Sequence, residues 1–203
     1  MTNRAVLVSA ETFGLTGCGN DMKLVAGVLH RRGFDDIELI EGEGSTREGI
    51  LNALNRLIER TAPDDAAVIA YSGHGGRSSR PEMPPGQQDP GGPFVQFIVP
   101  TDIEASTDDD FRGILAEELS AIQRRLTERT PNVTTILDCC HAAWMARDIA
   151  LTPKAITLSF PKHGIARRLA GLPPEPSGQI RTRWRSVSSP VSRNSLLTNT
   201  MGR

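Results

Sequence analysis

The stretch Ala66-Ala67-Val68-Ile69-Ala70-Tyr71-Ser72-Gly73-His74-Gly75-Gly76 runs from an apolar segment into a histidine flanked by glycines. A second stretch, Val133-Thr134-Thr135-Ile136-Leu137-Asp138-Cys139-Cys140-His141, follows the same plan and ends in two cysteines and a histidine. Short apolar runs bounded by turn residues predict buried strands. If the two strands are parallel neighbours, His74 and Cys140 emerge together at the carboxyl edge of one sheet. That edge is where open α/β sheets place their ligands.

Working outward, strand and helix alternate. Residues 5–9 read as a buried strand and 11–17 as a loop. A helix is expected over 21–32, with Met22, Val25 and Leu29 on one face and Gly33 as its stop. Residues 36–40 alternate as a strand. A second helix is expected to start at Ser45-Thr46-Arg47-Glu48, with Ser45 and Glu48 in capping-box spacing and Ile50, Leu51, Leu54, Leu57 and Ile58 as its stripe. Residues 75–93, crowded with Gly and Pro, predict a loop; 94–99 predict a strand and 116–126 a third helix. Strands separated by helices predict an α/β fold, a mostly parallel sheet with helices on both faces. There is no internal repeat.

Composition bounds the answer. The chain has 203 residues, 38% of them hydrophobic, enough for one domain with a core, with or without a tail. No apolar run approaches the ~20 residues of a membrane helix, and the polar start is not that of a signal peptide. Three cysteines, two of them adjacent, do not suit a disulfide framework, and a reducing, cytoplasmic setting is expected. Residues 151–203 hold nine Lys/Arg and one acid, Glu175, whereas residues 1–150 hold 14 Lys/Arg and 23 Asp/Glu. Two domains of function follow: a catalytic body over 1–150 and a basic, Pro/Ser/Arg-rich, partly irregular segment over 151–203. Basic tails can bind nucleic acid, but a segment that packs on the acidic body or is processed is the plainer expectation. At most one strand, over 155–160, is expected there, and helical periodicity is lacking after about Leu172.

The chemistry of a cysteine beside an imidazole is nucleophilic, because the thiolate forms near neutral pH. Cys140 would attack a carbonyl, with His74 assisting thiolate formation or protonating the leaving amine. The N–H groups of Gly75 and Cys140 would face the developing oxyanion. These residues predict a cysteine protease. Zinc fits poorly, since adjacent cysteines on a strand point to opposite faces and one should face the core.

Four ordered motifs resemble the caspase-like fold and, within it, the metacaspases. They are Ser72 to Gly75, Asp138 to His141, Leu15-Thr16-Gly17-Cys18-Gly19-Asn20-Asp21 and Ile98-Val99-Pro100-Thr101-Asp102. The resemblance covers about residues 4–150 and makes Cys140 the nucleophile and Cys139 a bystander. It implies cleavage after Arg or Lys, with Cys18, Asp21, Ser72 and Asp138 as the pocket; two carboxylates suit a guanidinium. It also implies a calcium site on Asp102, Glu117, Glu118 and Asp148, with glutamates where aspartates are usual and Asp108-Asp109-Asp110 as an alternative donor run. Nothing after Cys140 resembles the family's small subunit. The expectation is therefore the large subunit of a processed protease, with a small-subunit chain from the same precursor and an activating protease as partners, or else a shortened member that folds alone. An inactive caspase-like interaction module and a separase- or gingipain-like protease are the other readings. His141 is expected to be a supporting loop residue, and Thr101, Trp144 and Met145 to pack.

Overall fold

The computed structural model describes residues 2–82, 93–139 and 162–173. Cys140, His141, Trp144, Met145, Asp148, the expected strand over 155–160 and most of the basic tail lie outside the described residues. In chain order the elements are β1 (Asn3–Ala10), α1 (Cys18–His30), β2 (Phe34–Ile40), α2 (Arg47–Arg60), β3 (Ala66–Gly73), β4 (Gly75–Ser79), β5 (Phe94–Ile98), β6 (Ile114–Leu115), α3 (Ala116–Thr127), β7 (Asn132–Asp138) and α4 (Lys162–Ala170).

Four strands form a parallel sheet in the order β2-β1-β3-β7. Its central strands carry apolar residues at successive positions because both faces are covered. On one face, Ala5, Leu7, Val68 and Ala70 pack with Met22 of α1 and Phe34. On the other, Val6, Val8, Ile69 and Tyr71 pack with Ile50, Leu54 and Leu57 of α2 and Leu119, Ile122 and Leu126 of α3. The expected α/β architecture, a mostly parallel sheet between helices, is therefore what forms.

Three differences from the sequence reading have local causes. Residues 75–79 are not loop but β4, which pairs antiparallel with β5; β5 in turn pairs antiparallel with β6, giving a second sheet. The β4–β5 register runs from Gly75 opposite Ile98 to Ser79 opposite Phe94, so the two strands point in opposite directions. The cap of α2 is Thr46, whose Oγ1 accepts from Gly49 N at 3.1 Å; Ser45 is buried, and its hydroxyl donates to Ser9 O at 2.7 Å instead. The third is α4, a helix in the basic stretch. Ile165 is fully buried with Val95, Phe97, Val99, Ile103, Phe111 and Leu115, so α4 is packed onto the second sheet.

Candidate active site

His74 is the single residue between β3 and β4, and therefore sits where the parallel sheet hands over to the antiparallel one. Its carbonyl accepts from Val99 N at 3.1 Å and lies 2.8 Å from the Tyr71 hydroxyl, which donates to it. That hydroxyl also lies 3.1 Å from Val99 O and accepts from Val99 N at 3.3 Å. Tyr71 is 1% exposed, and burial holds its phenol well above the ordinary range, so it stays a donor. Two glycines beside the histidine turn, Gly73 and Gly76, leave no room for a side chain. A Cβ on Gly73 would stand 2.5 Å from the Tyr71 hydroxyl and 2.8 Å from Ala10 O, and one on Gly76 would stand 2.3 Å from the Phe97 ring. Gly75, the expected oxyanion donor, opens β4 opposite Ile98.

The parallel register aligns Ser9, Ser72 and Asp138 across β1, β3 and β7 at the carboxyl edge. Thus the residue two before His74 is paired with the residue two before Cys140. Cys139 packs against the core cluster beneath α2 and α3, as expected for one of the adjacent pair.

Three of the four expected pocket residues meet directly. The Ser72 hydroxyl donates to Asp21 Oδ2 at 3.5 Å, and the Cys18 thiol hydrogen-bonds the Ser72 side chain. Asp138 joins them as the register partner of Ser72 and is exposed. Cys18 is buried, and burial pushes its thiol up, with the Ser72 hydrogen bond opposing and the Glu11 and Asp21 charges adding to the rise. It is therefore a thiol at neutral pH, suited to lining a pocket and not to nucleophilic attack.

Helix α1, which carries Cys18 and Asp21, has Gly17 at its N-cap and no side-chain cap of its own. The Glu11 carboxylate takes that role from outside the helix: Oε1 accepts from Gly17 N at 2.9 Å and Gly19 N at 3.3 Å. An anion at this end also meets the positive pole of the helix. The intervening loop brings the Phe13 ring to 6.3 Å from the His74 ring, centroid to centroid, at an interplanar angle of 54°.

The acids that the resemblance implies for calcium stand elsewhere and are matched by arginines. Asp102 accepts from Arg47 N at 2.8 Å, at the start of α2, and from Arg112 Nη1 at 3.4 Å. Glu118 pairs with the buried Arg47 and accepts from Leu115 N at 2.9 Å. Glu117 Oε1 accepts from Arg80 Nη2 at 2.6 Å, while its Oε2 is buried without a hydrogen-bond partner. In the Asp108-Asp109-Asp110 run, Asp109 lies 3.1 Å from His163 Nδ1 and 3.6 Å from Arg167, and Asp110 pairs with Arg112 at 2.8 Å and with Arg168. Among the described residues no group of three or more His, Cys, Asp or Glu side chains is placed to hold a metal. Asp102, Glu117 and Glu118 are each paired with an arginine, and Asp148 lies outside the described residues.

Sequence reading missed Tyr71, Glu11 and Phe13. Tyr71 gave a signal, since a tyrosine inside a core strand needs a partner for its hydroxyl. Glu11 and Phe13 gave none, because a six-residue reach and a ring contact 61 positions away are products of the folded loop. No helix among the described residues is long and apolar enough to cross a membrane.

Comparison with known proteins agrees with this arrangement. The family model "Metacaspase, peptidase C14 domain" matches residues 3–148. Metacaspase-7 of Arabidopsis thaliana is 33% identical over 156 residues, covering 70% of this chain and 35% of that protein. Metacaspase-1 of Meyerozyma guilliermondii is 29% identical over 152 residues, covering 68% and 35%. The chain thus spans about a third of the length of the curated relatives it matches. In fold it is similar to the crystal structure of protein GSU0716 from Geobacter sulfurreducens, with a TM-score of 0.53 and 16% identity over 84% of this chain and 64% of that one. The fold is the caspase-like one, and the chain belongs to the metacaspase family, whose peptidase C14 domain it carries.

Proposed function

We propose that this chain carries the catalytic centre of a cysteine endopeptidase that cleaves after Arg or Lys. The observation that supports it most is the register that pairs Ser72 with Asp138, so that His74 and Cys140 each follow an aligned pair by two residues. The Cys140 thiolate attacks the scissile carbonyl carbon. The oxyanion that forms is met by the N–H groups of Gly75 and Cys140, and His74, carrying the thiol proton, delivers it to the departing amine. Water then attacks the thioester, giving up a proton to His74 as the thiolate leaves. The side chain before the cut enters the Cys18, Asp21, Ser72 and Asp138 pocket, where two carboxylates meet a cation. The Ser72 to Asp21 hydrogen bond supports this, as it keeps one carboxylate aimed at the edge of the sheet.

The same reading takes the chain as the large-subunit part of a processed protease. β7 has one strand neighbour among the described residues, β3, and Ile136 on it is 41% exposed. A small-subunit chain from the same precursor would extend the sheet at that edge, and an activating protease would separate the two. Calcium would act through Asp102, Glu117, Glu118 and Asp148, the first three of which pair with arginines. Its thiols, Cys18 and Cys139 among them, fit a reducing, cytoplasmic setting.

The test is hydrolysis of fluorogenic peptides ending in Arg, Lys, Asp or Leu, by the wild-type chain and Cys140→Ala, with and without calcium and any co-purifying chain. Cleavage after Arg and Lys should fall about a thousandfold or more in Cys140→Ala and in His74→Ala. Cleavage after Asp would overturn the pocket, and silence in every arm would favour an interaction module.

A further inference from the structure

Phe13 is poorly explained by packing. It is 41% exposed and belongs to none of the hydrophobic clusters. It is also the one non-glycine residue with positive φ, at 51°, among the described residues. A bulky side chain in the left-handed region is strained, and such strain persists only where the surroundings impose it. Here they do: Leu15 N donates to Thr12 O at 2.9 Å, closing a tight turn around Phe13, and Glu11 Oε1 ties the far end of the loop to the start of α1. The result holds an exposed aromatic ring beside the His74 imidazole.

We propose that Phe13 is a specificity-determining residue, an apolar shelf for the first side chain beyond the cut. This rests on the reading of His74 and Cys140 as the catalytic pair. The side chain before the cut is drawn to the Asp21 and Ser72 end of the site. The imidazole must stand at the nitrogen that departs, since it gives that nitrogen its proton. A ring packed on the imidazole therefore borders the residue attached to that nitrogen. Apolar side chains there cover the exposed face of Phe13, and charged ones lose hydration against it.

The experiment uses the full chain, with any co-purifying partner, and internally quenched peptides identical up to an arginine and followed by Ala, Leu, Phe or Asp, with a control peptide that carries leucine in place of that arginine. Wild type should favour Leu and Phe over Asp by about tenfold in kcat/KM, the scale of a modest apolar contact. Phe13→Ala should level the four while keeping Arg over Leu before the cut, and Phe13→Leu should restore part of the preference. Phe13→Gly should also level them and melt a few degrees higher, because glycine accepts the left-handed backbone. An unchanged leaving-side preference in Phe13→Ala, with arginine preference intact, overturns the shelf and leaves the protease reading standing. A lower melting temperature for Phe13→Gly overturns it as well, by making the ring a packing element. If wild type cleaves none of these peptides, the protease reading fails, and binding of the same peptides to Cys140→Ala by fluorescence anisotropy decides the shelf. An apolar preference removed by Phe13→Ala supports it; equal binding of all four overturns it.

Discussion

The parallel and antiparallel sheets meet at His74 and both have apolar cores, but the first carries its core in continuous apolar runs, whereas the second draws its core from scattered residues. The parallel sheet is apolar on both faces of its central strands: Val6, Leu7, Ile69 and Ala70 are all at most 6% exposed. The antiparallel sheet is ringed by arginine–carboxylate pairs, Arg47 with Glu118, Arg80 with Glu117, Arg112 with Asp102 and Arg168 with Asp110, around an edge-on pair of rings, Phe97 and Phe111, with centroids 4.9 Å apart. Non-directional burial shows up in sequence as a run of apolar residues. Ion pairing does not, because the partners are far apart in the chain. The acids around this second sheet, which the family resemblance implies as calcium ligands, pair with arginines that no local pattern assigns to them.

The largest test of that contrast is Arg47→Ala, which takes the ion-pair partner from the Glu118 carboxylate and a hydrogen bond from Gly113 O. Unfolding by urea should register a loss of about 3–5 kcal/mol, whereas Arg47→Met with Glu118→Leu should lie within about 1 kcal/mol of wild type. Next is Ile165→Ala, expected to cost about 2–4 kcal/mol. Hydrogen exchange should show α4 and β5 losing protection while β1 and β3 keep theirs; equal loss everywhere would make the two regions one cooperative unit. Tyr71→Phe removes the hydroxyl that joins the sheets at His74 O and Val99, so about 1–3 kcal/mol of stability and a measurable part of kcat should go with it.

Two smaller effects sharpen the picture from the parallel side. Glu11→Ala uncaps α1 and should cost about 1 kcal/mol by thermal melts and raise KM for arginine peptides, while Glu11→Gln, which keeps an acceptor, should cost less. Asp65 lies beneath the amino ends of β1 and β3. Hydrogen bonds from Thr2 N and Ala62 N, with Arg4 alongside, hold its carboxyl below the usual value. A depressed carboxyl stabilises the fold fully above its unfolded pKa of ~3.9, and that contribution is lost as pH falls through the lower folded value. In Asp65→Asn the melting temperature should therefore be lower at neutral pH and fall less steeply below about pH 4.

Much of the parallel sheet was legible because each strand and helix announces itself locally. The runs around Val6, Ile69 and Leu137, and the stripe from Ile50 to Ile58, carry their period in consecutive residues. The second sheet was not. β4 is Gly75-Gly76-Arg77-Ser78-Ser79, a segment with no strand signal of its own, and it forms a strand because β5 offers it a hydrogen-bonding edge. Likewise α4 is a basic stretch whose buried residues, Gly164 and Ile165, have meaning only against Phe111. At the site, His74 and the Cys18 to Asp21 segment were visible as motifs. Tyr71 was legible only as a core tyrosine in need of a partner, and Glu11 and Phe13 were invisible, since each acts through a contact made by the folded chain.

The sequence by itself determined the α/β body, the strand ends that bear His74 and Asp138, and membership of a family. These follow from local periodicity and short motifs, whose physics is confined to a few neighbouring residues. Tertiary structure alone decided which acids face arginines, which hydroxyl fixes the histidine turn, and why a phenylalanine stands strained beside the imidazole. Those outcomes depend on pairings across tens of residues, where burial and geometry select a partner that no local pattern names.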